Sequence, residues 1–172
     1  MEKSEFTIEK TIVECYKIRH KSGMYWADIN IDSQGTKGRI QIASDYGSYQ
    51  NYWGACGCDF KKFLIGLNIE YAADKFEADR WFDHDATIRD FKYSVLEERR
   101  FENITSKKAR DIYDEIETLK DYTDKESFGS QMWNCSELMR LYDHCPDIKT
   151  GISPLFRKFW DGPWQIFISN IK

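Results

Sequence analysis

Alternating apolar and polar positions predict β-strands in the first third of the chain. One face of the predicted strand over residues 24–31 carries Tyr25, Ala27, Ile29 and Ile31. The other face carries Trp26, Asp28 and Asn30. Residues 11–20 are rich in β-branched and aromatic side chains, residues 39–44 alternate again, and residues 49–53 form a short fourth run. Gly-bearing turns at 21–23, 32–38 and 45–48 separate these runs, which predicts an antiparallel β-meander.

From Cys58 onward the apolar residues recur at helical spacing instead. Side chains that can cap the first turn of a helix stand before several of these runs: Asp59, Asn68, Asp85, Thr105 and Ser153. Another amphipathic helix is predicted over residues 126–143. The sequence Asp161-Gly162-Pro163 predicts a stop, after which the apolar residues 164–168 fit either an edge strand or a last helical turn.

These patterns predict the α+β fold class, with an N-terminal antiparallel β-meander of about four strands packed against a mostly helical C-terminal half. No repeat, low-complexity tract or Pro/Gly/Ser-rich linker divides the 172 residues. The chain also has the usual length of one domain. We therefore predict a single α+β domain over residues 1–172.

Charge and hydropathy restrict the choice of partner. The chain carries 25 basic and 29 acidic side chains, a net charge of −4, which disfavours general binding to nucleic-acid phosphates. The apolar runs are far shorter than the roughly 20 residues of a membrane span. Residues 1–6 show no basic-then-apolar signal pattern. The expected location is the cytoplasm, with no membrane partner.

Aromatic residues are unusually frequent, at 16% of the chain. Such side chains dominate binding interfaces because each buries a large, rigid area at low entropic cost. The predicted partner-binding residues lie around the turn at 45–48 and on the neighbouring strand: Trp26, Tyr46, Tyr49, Tyr52 and Trp53. The competing interpretation is that Tyr46 and Trp53 cover the end of the sheet as core residues.

Five cysteines, an odd number without the spacing of a disulfide framework, predict free thiols in a reducing compartment. A zinc site would have to draw on Cys56, Cys58, Cys135, His144 and Cys145. The single residue between Cys56 and Cys58 is unfavourable, because a zinc knuckle needs a two-residue spacer to turn both sulfurs toward one ion. No metal and no cofactor are predicted.

The alternative to a binding protein is a metal-dependent nuclease or other hydrolase. Its candidate ligands are Asp79, Asp83, His84 and Asp85, a cluster of carboxylates and one imidazole. Neighbouring residues of an extended segment point to opposite sides, so this cluster fits a polar loop better than a metal site. A third hypothesis, a nucleic-acid-binding module, conflicts with the net charge.

One stretch resembles a pattern found in small hypothetical proteins of bacteriophages and prophages. The resemblance lies in residues 44–49, Trp53-Gly54, residues 58–64 and Tyr71. It implies a phage accessory protein that acts by stoichiometric binding to a host protein or a defence complex. The predicted function is therefore non-enzymatic binding of a host macromolecule, with CRISPR and restriction systems as candidate targets; the sequence does not indicate an oligomeric state.

Overall fold

The computed structural model describes residues 7–142 and 145–171. Its first four elements form one antiparallel sheet in the order β1-β2-β3-β4. The strands are Glu14–Arg19 (β1), Trp26–Gln34 (β2), Lys37–Ser44 (β3) and Gly47–Trp53 (β4). The predicted four-strand meander is confirmed, and so is the α+β class, because the rest of the chain is mostly helical.

The period-2 pattern of the strands decides which face of the sheet is buried. Ala27, Ile29 and Ile31 of β2 are at most 1% exposed, and Ile40 and Ile42 of β3 lie beside them on the same face. The residues between them point to the opposite face and are polar. We call that opposite side the open face.

Short helices cover the buried face of the sheet. They are Phe60–Ile65 (α1), Ile69–Lys75 (α2), Pro154–Phe159 (α7) and Gln165–Asn170 (α8). The predicted N-caps are confirmed for α1, α2 and α7, since Asp59, Asn68 and Ser153 each accept a backbone amide hydrogen bond. The core beneath these helices is largely aromatic and includes the fully buried Phe60 and Trp164.

The described residues group into two compact units. Unit 1 takes in the sheet and its helices, as far as Asp79 and again from Ile152. Unit 2 is Arg80–Gly151. The single-domain prediction stays a prediction. None of the helices within the described ranges is long and apolar enough to span a membrane.

Unit 2 is built around a helical core. Its helices are His84–Arg100 (α3), Ser106–Thr118 (α4), Lys125–Met132 (α5) and Ser136–Met139 (α6). The short strands Arg80–Phe82 (β5) and Thr150–Ile152 (β6) pair where the chain enters and leaves the unit. The predicted cap Thr105 is confirmed, because its hydroxyl accepts from the Lys108 amide.

The predicted cap at Asp85 is wrong by two residues. Asp83 caps α3, since its Oδ1 accepts from the Ala86 amide at 2.8 Å. Asp85 lies inside the first turn, where a carboxylate is stabilised by the helix dipole. Either acid could cap a helix that starts here. Because β5 ends at Phe82 and pairs with β6, α3 begins directly after it and Asp83 is the cap.

The helix predicted over residues 126–143 is interrupted at residues 133–135. Asp124 caps α5 at its start, and a second short helix, α6, begins at Ser136. The Glu115 carboxylate of α4 accepts from the amides of Glu137 and Leu138, at 2.9 and 2.7 Å. This tertiary contact satisfies the free amides at the start of α6. The predicted end of the helix, residue 143, lies outside the described residues.

The predicted stop at Asp161-Gly162-Pro163 is also wrong, because the chain continues there as a π-helical turn. This turn, Trp160–Trp164, joins α7 directly to α8. Of the two alternatives for residues 164–168, an edge strand or a helical turn, the structure has the helix. A wider turn can accommodate Pro163, which has no amide to donate. The Gln165 side chain donates to the Trp160 carbonyl at 3.2 Å, within the widened turn.

Candidate functional site

A groove of about 530 Å³ lies at one end of the sheet in unit 1. One wall comes from the ends of β1 and β2 and from the β3–β4 turn, and the other from α7, the π turn and α8. Its lining residues are Ile18, Arg19, His20, Tyr25, Tyr46, Lys158, Asp161, Gly162, Pro163 and Ile166. We call it the aromatic groove.

Tyr25 gives the groove its most unusual feature. Its φ is +63°, in the left-handed region that costs a residue with a side chain roughly 1–2 kcal/mol. The Asp45 carboxylate fixes this geometry, since Oδ2 accepts from the Tyr25 and Trp26 amides at 2.8 and 3.2 Å. The prediction that Tyr25 belongs to the buried face of β2 is therefore wrong: the residue precedes the strand and is 49% exposed.

Three rings line the sheet side of the groove. Tyr25 stacks on Tyr46, with ring centroids 6.3 Å apart and planes 22° from parallel. The His20 ring meets Tyr25 edge-on at 5.9 Å, and Tyr46 reaches inward to Phe159 at 6.5 Å. Burial raises the pKa of Tyr46, helped by nearby Tyr25 and Asp45.

The opposite wall is built by the π turn. Pro163 is buried at its base, while Ile166 on α8 remains 53% exposed. Lys158 and Asp161 are exposed and add one charge of each sign. The groove therefore combines aromatic and aliphatic surface with a few charged groups.

Arg19 connects the aromatic groove with the open face of the sheet. Its guanidinium lies over the Trp26 ring at 5.5 Å and forms an ion pair with Asp28 at 2.6 Å. The hydrogen bond from Arg19 lowers the pKa of Asp28. Trp26 is half-buried beneath the guanidinium, which leaves part of its ring accessible.

The five predicted partner-binding residues do not form one exposed cluster. Tyr49 and Trp53 are 9% and 7% exposed and belong to the core of unit 1. The expectation of exposure is wrong for these two, and the competing interpretation is right for Trp53. Tyr46 lines the groove and Trp26 lies beside it. Tyr52 is 55% exposed elsewhere on the open face, where the Arg39 guanidinium lies 5.8 Å from its ring centroid.

Register explains why Tyr49 and Trp53 are buried. In β4 they alternate with Ser48, Gln50 and Tyr52, so the helices cover one set and not the other. Their polar atoms are satisfied internally. The Tyr49 hydroxyl donates to the Tyr46 carbonyl at 2.6 Å, and Trp53 Nε1 donates to the Tyr71 hydroxyl at 3.0 Å.

The candidate hydrolase residues have structural roles. Asp83 caps α3, and His84 Nδ1 lies 3.1 Å from Asp85 Oδ1 while its Nε2 lies 3.3 Å from the Leu119 carbonyl. Asp79 belongs to unit 1, where its carbonyl accepts from the Ser153 amide at 3.1 Å. Nothing in these contacts supports the nuclease alternative.

The cysteines are free thiols in the described part of the chain. Cys135 is 2% exposed in the core of unit 2, and Cys145 is exposed. Cys56 and Cys58 lie in unit 1, and His144 lies outside the described residues. Within residues 7–142 and 145–171, no group of three or more His, Cys, Asp or Glu side chains is placed to hold a metal ion.

Comparison with known proteins adds one positive result. A family model described as a phage family matches residues 6–165, a span that includes all of unit 2, most of unit 1 and every residue of the aromatic groove except Ile166. The chain belongs to this phage family. The phage resemblance seen in residues 44–71 is thereby confirmed over nearly the whole chain. No curated protein and no solved structure matches this phage protein.

Sequence reasoning missed most of the groove of this phage protein. Tyr25 and Asp45 are far from Pro163 and Ile166 in the chain, and the sequence pattern does not show that α8 packs near β1. Two local signals were present. Tyr25 follows a Gly-containing turn, and Pro163 interrupts an apolar helical run.

Substitution of Tyr25 tests whether its backbone is strained. We expect Tyr25→Gly to be more stable than Tyr25→Ala by about 1–2 kcal/mol, because both remove the ring but only Gly relieves the left-handed strain. Urea unfolding of the two variants measures the difference. The reverse order, which is normal at ordinary strand positions, would show that φ at this residue is negative in solution.

Proposed function

We propose that this phage protein is a non-enzymatic accessory protein that acts in the host cytoplasm by binding a host macromolecule through the aromatic groove. The partner that we propose is a protein of a bacterial defence system, such as a CRISPR or restriction complex, which the phage protein inhibits by occupying its surface. Membership of a phage family supports the proposed setting, which is a phage-infected host. The groove supports the proposed way of acting, which is the binding of a partner.

The observation that carries the proposal is the meeting of two rare backbone conformations at one groove. Tyr25 has a left-handed φ and the Trp160–Trp164 segment is a π turn, and residues of both line the same space. Strained residues and π turns are costly, and they concentrate at binding and catalytic sites. Their convergence singles out this groove among the surfaces of unit 1.

The side chains of the groove are of the types that anchor protein interfaces. Tyr and Arg are enriched among the residues that dominate binding energy, and Tyr25, Tyr46 and Arg19 meet here. A volume of about 530 Å³ is enough for a few side chains of a bound loop. Partly exposed Ile166 and Tyr25 lose water-exposed apolar area when such a loop binds.

Two polar groups of the groove are held by contacts within the protein. Arg19 is paired with Asp28, and His20 Nδ1 lies 2.7 Å from the Ser22 hydroxyl and accepts from the Ser22 amide at 3.2 Å. These contacts hold the hairpin turn in place. They fix the groove wall against which a partner packs.

The test is affinity capture combined with a plating assay. Tagged protein is used to recover partners from a lysate of the host, and the same host, carrying an active defence system, is challenged with a phage sensitive to that system. We expect the wild-type protein to recover a defence component and to raise plating efficiency. We expect Ile166→Glu, which places a charge in the groove, to weaken capture about 30-fold, as the loss of a hot-spot contact does.

Leu155→Glu is the matched control, because Leu155 is 56% exposed on α7 and does not line the groove. It should behave as wild type in both assays. A partner recovered equally well by Ile166→Glu contradicts the groove as the binding site. If Tyr52→Ala is the only variant that loses the partner, the binding site lies on the far part of the open face. Turnover that is sensitive to a chelator and lost in His84→Ala would favour the hydrolase.

A further inference from the structure

The outer edge of β1 and the segment before it are unpartnered within the described residues. β1 is an edge strand of the sheet, and no strand among residues 7–142 and 145–171 pairs with its outer side. The preceding residues, 7–13, run as irregular chain with Ile8 100%, Ile12 97% and Val13 45% exposed. An open edge next to exposed β-branched residues is a template for pairing with another strand.

The segment before β1 continues the pattern of β1. In an extended chain Ile8 and Ile12 fall on the same side as Tyr16 and Ile18, which pack on the helix-covered face. The sequence pattern therefore predicts a strand that begins before Glu14. The pairing with β2 nevertheless stops at Glu14↔Ile31, which leaves the earlier residues without a neighbour on that side.

We propose that residues 7–19 pair antiparallel with the same residues of a second copy, with Val13 opposite Val13 at a two-fold axis. The two sheets then join edge to edge into one continuous sheet. A two-fold axis normal to that sheet makes the contact self-complementary and places both helix layers on the same face. The inference does not depend on the proposed function.

Charge complementarity favours this register over one centred on Glu14. Directly opposite residues of an antiparallel pair point to the same face, so even-numbered residues must pair with even-numbered ones. Centring on Val13 places Glu9 opposite Lys17 of the second copy, twice by symmetry, and Lys10 diagonal to Glu14. Centring on Glu14 would instead place two carboxylates face to face.

The same register also covers the exposed apolar side chains. Ile8 comes opposite Ile18 of the second copy, and Val13 meets its own symmetry mate. Centring on Cys15 would leave Ile8 beyond the end of the pairing. The register about Val13 thus satisfies the charges and the apolar residues together.

The first test is sedimentation equilibrium of the full chain under reducing conditions, where we expect a dimer. Glu9→Lys should weaken dimerisation about tenfold, since it turns two opposite-charge pairs into like-charge pairs. Lys17→Glu should do the same, and an equimolar mixture of the two variants should dimerise again as a heterodimer. Asp114→Lys, an equal charge change on the exposed side of α4, should leave the dimer unchanged.

The second test fixes the register. Thr11 comes opposite Cys15 of the second copy, at the Cα separations of 4.5–5.5 Å found in antiparallel pairs and compatible with a disulfide. Thr11→Cys treated with diamide, which takes up the two hydrogens, should give a covalent dimer. Thr11→Cys/Cys15→Ser should not.

Circular dichroism checks that each variant remains folded. A wild-type chain that is monomeric at every concentration overturns the proposal. A dimer that is insensitive to Glu9→Lys and does not cross-link also overturns it, because another surface then makes the contact. Retention of a host protein by Ile166→Glu while the dimer persists would contradict the proposed function and leave this inference standing.

Discussion

Gly38→Ala is expected to destabilise the protein by about 3 kcal/mol. Replacing a glycine inside a strand by alanine usually has the opposite effect and stabilises a protein. Gly38 lies in β3 beneath the fully buried Phe60 ring. A Cβ built on Gly38 would come within 2.6 Å of Phe60 Cγ. The Phe60 ring cannot move away, because Trp53 and Phe63 pack against it, with ring centroids 5.9 and 6.4 Å from its own. Urea unfolding followed by circular dichroism measures the loss.

A smaller side chain at position 60 should relieve the clash. We expect the double variant Gly38→Ala/Phe60→Leu to be less destabilised than the sum of the two single variants, since the residues are in direct contact. Gly129→Ala is the control, because a Cβ there meets nothing within 4 Å and the residue lies inside α5. That variant should gain up to about 1 kcal/mol. Simple additivity of the first pair would contradict the proposed close approach.

The sheet could be predicted from sequence because its signals are local. The alternation in residues 27–31 and the turns around Gly23 and Gly47 specify strand, face and connection within a few residues of each other. The same holds for the caps of α1 and α2, where one polar side chain precedes an apolar helical run. Such features depend on neighbours in the chain, which a sequence displays directly.

The errors occurred where a distant residue determines the local structure. Glu115 supplies the cap that lets α6 start, and nothing near residue 136 in the sequence shows this. Pro163 was interpreted as a stop, but packing of Trp160 against Trp164, with ring centroids 5.1 Å apart, favours a continuous helical path through the π turn. Local propensity yields to tertiary packing in both cases.

The candidate site was the hardest part to predict. Composition indicated that some aromatic residues face a partner, yet burial depends on which face of β4 the helices cover, and the alternation alone does not say which. Tyr46 and Trp26 lie at or beside the aromatic groove, whereas Tyr49 and Trp53 do not. Tyr25 was assigned to the buried face of β2, because the Gly-containing turn before it does not specify a left-handed backbone at the tyrosine itself.

Phe128→Ala should cost about 3–5 kcal/mol, the usual range for removing a fully buried phenylalanine. Phe128 is the hub of the unit 2 core, with ring centroids 4.9 Å from Phe82, 5.7 Å from His84 and 6.3 Å from Phe91. It is 0% exposed, so its removal leaves a cavity among rigid rings that cannot collapse freely. Urea unfolding compares it with Trp133→Ala, in which a 63%-exposed ring is lost from the end of the same helix. That control should change stability by no more than about 0.5 kcal/mol.

The same variant tests whether residues 1–172 fold as a single domain. Trp26, Trp53, Trp160 and Trp164 belong to unit 1, so most of the tryptophan fluorescence reports on unit 1, whereas circular dichroism at helical wavelengths reports on both units. A single cooperative domain requires that both signals follow one transition and shift together in Phe128→Ala. If fluorescence keeps its wild-type midpoint while part of the helical signal is lost earlier, the two units unfold independently and the single-domain prediction fails.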